Sequence, residues 1–307
     1  MALQLAGIDW SRPWFAPFAE AGAAIAAHVC QGRPVHAALD AVATARGLAN
    51  AAGLPLRFVP QQALPPGTAY EAHIHAHGEV PTRDNLHDVF NGLIWLHFPR
   101  TKAMLNRLQA EAIAADGVQP TRGPLRDAAT LFDENAVLFV SAEPLLEAAL
   151  RGFRWRELFV DGRDAWHGRC TVVPFGHALL EKLVAPYKSI TAHAWPIAMA
   201  PADPRPGSLD APLAQTLARA ELRGRSSFAP LPVLGIPHWW PANADAGFYD
   251  DTTVFRPGRR AGVGASRNGG THAKVLDCGP RSRTDNRCSP GNGRGEESPD
   301  STGQGSG

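Results

Sequence analysis

A chain of 307 residues that is 44% hydrophobic and 19% charged can bury a sizeable core, which excludes wholesale disorder, a collagen-like chain and a coiled-coil rod. Its formal net charge of +1 is too near zero for a dedicated nucleic-acid or membrane-surface binder. No apolar run reaches the roughly 18 residues that a membrane-spanning helix needs.

In chain order, Ser11 and Pro13 mark a helix start, and a helix is expected over 16–28. Pro34 opens a second helix, expected to run to about residue 52 and to end at Gly53. Residues 56–59 read as a short strand, and Pro65-Pro66-Gly67 as a turn. Tyr70–His77 alternates: Tyr70, Ala72, Ile74 and Ala76 on one side, Glu71, His73, His75 and His77 on the other. That period predicts a half-buried strand. Asp84 or Asn85 can cap a helix to about Phe98; Pro99 breaks it, and Thr101 can cap the next, to about Ala115. Further helices are expected over 122–134, 144–152 and 176–184, with strands at Ala136–Ser141, 170–173 and 189–195. A loop over 201–207 precedes an amphipathic helix near 212–223. Beyond Ser226 the chain is dense in proline and aromatic residues, Trp239, Trp240, Phe248 and Tyr249 among them, and predicts an irregular strap laid over the domain. The mixed order predicts an α+β fold, a predominantly helical single domain with a few short strands, over residues 1–255.

Residues 256–307 differ in kind. They contain no aromatic residue, hold 12 of the 30 glycines, and carry nine Lys/Arg against five Asp/Glu. Such a segment buries too little apolar area to offset its ordering entropy, so a disordered Gly/Arg-rich tail is expected. A GC-rich gene read out of frame yields the same composition. Residues 1–255 carry 21 basic and 24 acidic groups, so the positive excess lies wholly in the tail. Cys30 and Cys170 have no motif spacing, and Met1 to Trp10 shows no basic residue or cleavable apolar stretch; a cytoplasmic protein is expected.

The densest polar region is 70–102. On the helix after Asn85, His87 and Asn91 share a face, Asp84 and Asp88 a neighbouring one, and the residues between are large and apolar. Polar groups carried into such an environment need partners. In the second polar region, His177 and Glu181 stand four apart on a helix, and His193 follows on a strand. Together they offer a metal pair with a third histidine, or a base with its orienting carboxylate. His73, His75 and His77 would project to one side of a strand, where two could share zinc or simply face water. Asp133-Glu134-Asn135 reads as an acid pair or as a helix end before a strand. The body carries no phosphate-loop, nucleophile-elbow or H-E-x-x-H pattern. Cys170 reads as a core thiol.

Four runs carry a resemblance: G-x-V-P-T-R-D-N-L-H-D-V-F-N-G-L-I-W-L-H-F-P-R-T-K-A, R-G-P-L-R-D-A-A-T-L-F-D-E-N, F-G-H-A-L-L-E-K and V-L-G-I-P-H-W-W-P-A-N. Together they are similar to the proteobacterial family catalogued as domain of unknown function 3025, over roughly Trp10 to Pro257. The family brings no established activity. Its pattern ends near 256–260, which implies that the tail is an addition. Apart from Ile74 it does not contain the triple histidine, which weighs against a metal site there.

Two functions compete for the polar residues. One is a small-molecule hydrolase or other acid–base enzyme, with His87, Asp88, His177, Glu181 and His193 catalytic and Arg83, Asn91 and Arg100 binding a small polar or anionic substrate. The other is a non-catalytic binding or scaffold protein in which the same residues form a structural network. An RNA-associated role through the tail is a third, disfavoured by charge. The sequence assigns no metal, leaves any cofactor open and implies neither membrane nor nucleic-acid partners. The enzyme reading requires His87 and His177 to approach within one network, joined by Glu181 or Asp88.

Overall fold

The computed structural model describes residues 1–117, 123–200, 206–219, 222 and 225–258. The tail beyond 258 and most of the loop over 201–207 lie outside these residues. The elements in order are α1 (Ala2–Ala6), α2 (Ala19–Cys30), α3 (Val35–Ala45), β1 (Arg57–Pro60), α4 (Tyr70–His77), β2 (Glu79–Thr82), α5 (Leu86–His97), α6 (Pro99–Asp116) and α7 (Pro124–Asn135). There follow β3 (Ala136–Ser141), α8 (Pro144–Arg151), β4 (Cys170–Pro174), α9 (His177–Lys182), β5 (Thr191–Ile197), α10 (Pro206–Ala218) and β6 (Ala229–Pro232). The fold is α+β and mostly helical. Its strands make a four-stranded sheet in the order β4-β3-β5-β6 and a parallel pair, β1-β2. No helix among the described residues is long and apolar enough to cross a membrane.

Strand β3 is the centre of the larger sheet. Its Ala-Val-Leu-Phe-Val-Ser run is buried throughout, as a strand covered on both faces should be. It pairs antiparallel with β4, Val137 opposite Pro174, and parallel with β5, Ala136 opposite His193. Edge strand β6 carries two prolines in four residues, which an edge tolerates because its outer N–H groups need no partner. Phe175 follows β4 and wedges between Phe98 and Phe132, with ring centroids 5.1 and 4.7 Å away. This aromatic stack ties α5, α7 and the start of α9 together beneath the polar residues.

Several expectations need correction. Tyr70–His77 is a helix, not a strand. Its eight residues carry a weak period, and tertiary contacts decide. Gly78 adopts φ +70° and closes the last turn with its N–H on the Ile74 carbonyl, while Asn50 Nδ2 donates to the carbonyls of Ile74 and His75, each at 2.9 Å. The helical turn sets His75 apart from the other two: His73, buried with Nε2 3.1 Å from Glu79, and exposed His77 stand four apart with ring centroids 4.8 Å from each other. Pro99 starts α6 rather than merely ending α5. The first N–H groups of α6, those of Arg100 and Thr101, donate to the Asp210 carboxylate at 3.0 and 2.8 Å, so the cap comes from α10 and not from Thr101. Helix α3 ends at Ala45, seven residues before Ala52, and α10 begins at Pro206 and carries Pro212 inside it. The strap after Ser226 contributes strand β6 and then short 3-10 turns. It is pinned by Asn243 Nδ2 donating to the carbonyls of Leu234 and Ile236, and by Trp239 against Trp14 at 5.9 Å.

Candidate functional site

Helix α5 begins where Asn85 accepts the Asp88 N–H at 2.8 Å. The Asp88 carboxylate reaches back to the Arg83 N–H at 2.6 Å and takes its guanidinium at 2.8 and 3.1 Å. This reciprocal cap fixes the first turn and so aims His87. Asp84 caps a different helix, accepting the Val35 N–H of α3 at 2.8 Å. Helix α9 lies against α5 and α7. It can do so because residue 176 is glycine: a Cβ there would stand 2.5 and 2.6 Å from the backbone nitrogens of Asn135 and Ala136. The Phe175 and Gly176 N–H groups both donate to the Ala136 carbonyl, at 3.0 and 2.8 Å, and His177 is thereby set beside the end of α7.

The two imidazoles meet. His87 Nε2 and His177 Nε2 are 3.0 Å apart, with their rings at 80°. His87 Nδ1 stands 3.1 Å from Glu181 Oε2. Glu134 Oε2 lies 3.4 Å from His177 Nε2, and Asp133 Oδ2 lies 3.7 Å from His177 Nδ1, which makes no hydrogen bond. His87 Nε2, His177 Nε2 and a Glu134 oxygen lie within 4.8 Å of one another, a set that one metal ion can reach. Behind them Lys102 is buried, with Nζ 2.5 Å from Asp133 and 2.9 Å from Asn91 Oδ1; Asn91 Nδ2 donates to the Tyr70 hydroxyl at 3.2 Å.

Burial disfavours the imidazolium of His177 and pulls its pKa down to about 4, against the attraction of Asp133. Burial would raise the Asp133 carboxyl, but Lys102 and His177 outweigh it and hold the group below its ordinary value. At Glu134 burial, then the charge of Asp133, outweigh the opposing pull of His87, Lys102 and Lys182 and push its carboxyl up. Burial and the nearby carboxylates keep the Tyr70 hydroxyl protonated, well above its usual range.

The cluster opens on a cleft of about 500 Å³. Arg126, Thr130, Asp133 and Glu134 line it from α7 at helical spacing; Arg83 lines it from the turn after β2, and His87, Asp88 and Asn91 from α5. Of the residues singled out in the sequence, Arg83, His87, Asp88, Asn91 and His177 come together at this cleft, with Glu181 behind His87. Two do not. His193 is on β5, on the face that also carries Trp195, with its ring edge-on to Phe228 at 6.0 Å, and it does not line the cleft. The Arg100 side chain is exposed outside the cleft, because the first turn of α6 faces Asp210. Asp133, Glu134, Arg126 and Tyr70 also line the cleft; the sequence offers Asp133-Glu134 as an acid pair or a helix end and assigns none of the four to the site. Their signal was spacing: Arg126, Thr130, Asp133 and Glu134 stand at i, i+4, i+7 and i+8 of one helix.

No curated protein and no solved structure is significantly similar to this chain. A family model described as a protein of unknown function, DUF3025, matches residues 56–259. The match begins well after Trp10, so α1 to α3 fall outside it, but every residue of the His87–His177 cluster falls inside. The chain belongs to the DUF3025 family of proteins of unknown function.

Proposed function

We propose that the protein is a small-molecule hydrolase whose water-activating centre is the meeting point of His87, His177 and Glu134. The observation that carries this reading is the convergence of two imidazole Nε2 atoms and a carboxylate oxygen within 4.8 Å at the wall of a polar cleft. A neutral imidazole kept unprotonated by burial is competent as a base or as a ligand. A volume of about 500 Å³ suits a metabolite-sized substrate. Arg83 and Arg126 place guanidinium groups on the cleft wall, and Arg126 Nε is buried without a partner, which favours a substrate bearing a carboxylate or phosphate. Asp88 and Glu181 act as positioning residues, Asp88 for Arg83 and Glu181 for His87.

A second reading has its own observation. Buried Lys102 and Asn91 and half-buried Asp133 and Tyr70 are bonded to one another, the pattern of a network that fixes a fold. A panel of carboxylic esters, phosphate esters, lactones and amides separates the two. On the hydrolase reading at least one class is turned over, and His87→Ala and His177→Ala each lower kcat/KM on the order of 100-fold or more with the fold intact. On the network reading nothing is turned over, and each variant costs about 1–3 kcal/mol of stability.

A further inference from the structure

We infer that His87 Nε2, His177 Nε2 and a Glu134 carboxylate oxygen together hold a divalent transition-metal ion, zinc being the one whose chemistry suits two imidazoles and a carboxylate. The inference deepens the hydrolase reading and rests on it for its purpose, but the site stands on its own geometry.

Convergence comes first. The Nε2 atoms are 3.0 Å apart, and Glu134 Oε2 is 3.4 Å from that of His177. Two nitrogens bound to one zinc at about 2.0–2.1 Å, at a tetrahedral angle, lie roughly 3.3–3.4 Å apart. An opening of a few tenths of an ångström therefore admits the ion.

The positions of the protons point the same way. Glu181 stands 3.1 Å from His87 Nδ1, and a carboxylate can only accept, so the Nδ1 proton of His87 belongs there. His177 Nδ1 faces the Asp133 carboxylate at 3.7 Å, which favours a proton on that nitrogen too. Both Nε2 atoms are then left with lone pairs aimed at each other across 3.0 Å, beside a third lone pair from Glu134. That arrangement is repulsive unless a positive centre lies among the three atoms. A proton serves two of them; a metal ion serves all three. A carboxylate hydrogen-bonded behind the ring, as Glu181 is behind His87, is also how proteins fix the tautomer and direction of a ligating imidazole.

Accessibility completes the case. The His177 side chain is 5% exposed, whereas those of His87 and Glu134 are 31% and 39% exposed and face the cleft. Three protein ligands with one open side leave a coordination position for water, as in hydrolytic rather than structural zinc sites.

The test is zinc loading of the full chain. After dialysis against a chelator, resupply with Zn²⁺ and gel filtration, the protein is expected to retain one zinc per chain. X-ray absorption at the zinc edge should then show two imidazoles, light-atom ligands and no sulfur. His87→Ala and His177→Ala should weaken affinity on the order of 100-fold or more. Glu181→Gln should weaken it about 10–100-fold while keeping the two-imidazole signature. Sub-stoichiometric zinc, sulfur ligation from Cys278 or Cys288, or affinity unchanged in His87→Ala would each overturn the site. Should His177→Ala fail to fold, the wild-type spectrum decides alone. Zinc bound as described without turnover of any ester, lactone, amide or phosphate ester removes the hydrolase reading and leaves the site. Failure to retain zinc, with turnover undiminished after complete metal removal, removes the site and leaves hydrolysis.

Discussion

At the last turn of α5, His97 packs edge-on against Phe18 at 5.0 Å and donates from Nδ1 to the Leu93 carbonyl at 2.8 Å. Burial, helped by the charge of Arg46, holds its pKa below the ordinary 6.5. The fold therefore prefers the neutral ring. The stability it gives is fully present above about pH 6.5 and is lost as pH falls through the lower, folded value. Urea unfolding between pH 8 and 5 should show stability falling below about pH 6.5, and a shallower fall in His97→Gln. An unchanged slope would remove His97 as the cause. At the same scale, the pairing of His87 with His177 was legible, because each stood at a helix start with its polar face directed inward by large apolar neighbours. Glu134 was not, because a D-E-N run at a helix end reads equally well as a turn. Only the fold shows that this helix end abuts Gly176.

At the level of elements, the junction of α7, β3 and α9 sets the site's precision. Gly176 has an ordinary negative φ of −62°, so it is needed for space and not for conformation. Gly176→Ala should cost about 1–3 kcal/mol through overpacking against the Asn135 backbone. It should also displace His177 and depress turnover beyond that stability loss, which thermal melts and kinetics on one preparation can separate. Most elements were legible where a strong period, a cap and a breaker agreed, as in α5 with Asn85 or β3 with its apolar run. The failures were places where local signals were weak and remote partners decided. The eight alternating residues of α4 suit both strand and helix until Asn50 and Gly78 cap the helix. Helix α6 was given a local cap, whereas its cap, Asp210, stands 110 residues from Arg100 in sequence.

At the scale of the whole domain, one hydrophobic core among the described residues takes in side chains from Leu5 to Phe255. The strap closes it, with Trp155 Nε1 donating to the Arg256 carbonyl and Tyr249 to that of Gly235. Because the strap's rings are covered by earlier helices, residues 1–258 should unfold in a single calorimetric transition; two separated transitions would contradict one cooperative unit. Truncation after Pro257 should leave the thermal midpoint nearly unchanged, since the removed segment lacks aromatic residues. The fold class was legible from the mixture of periods, and the polar cluster from its residue types. The identity of the three converging atoms was not, since it depends on helices brought together across 90 residues of sequence. The most direct measurement of that convergence is anomalous diffraction at the zinc edge from crystals grown with Zn²⁺. The account predicts one strong peak about 2.0–2.1 Å from His87 Nε2, His177 Nε2 and a Glu134 oxygen. No peak there, with the two imidazoles still in direct contact, would contradict it.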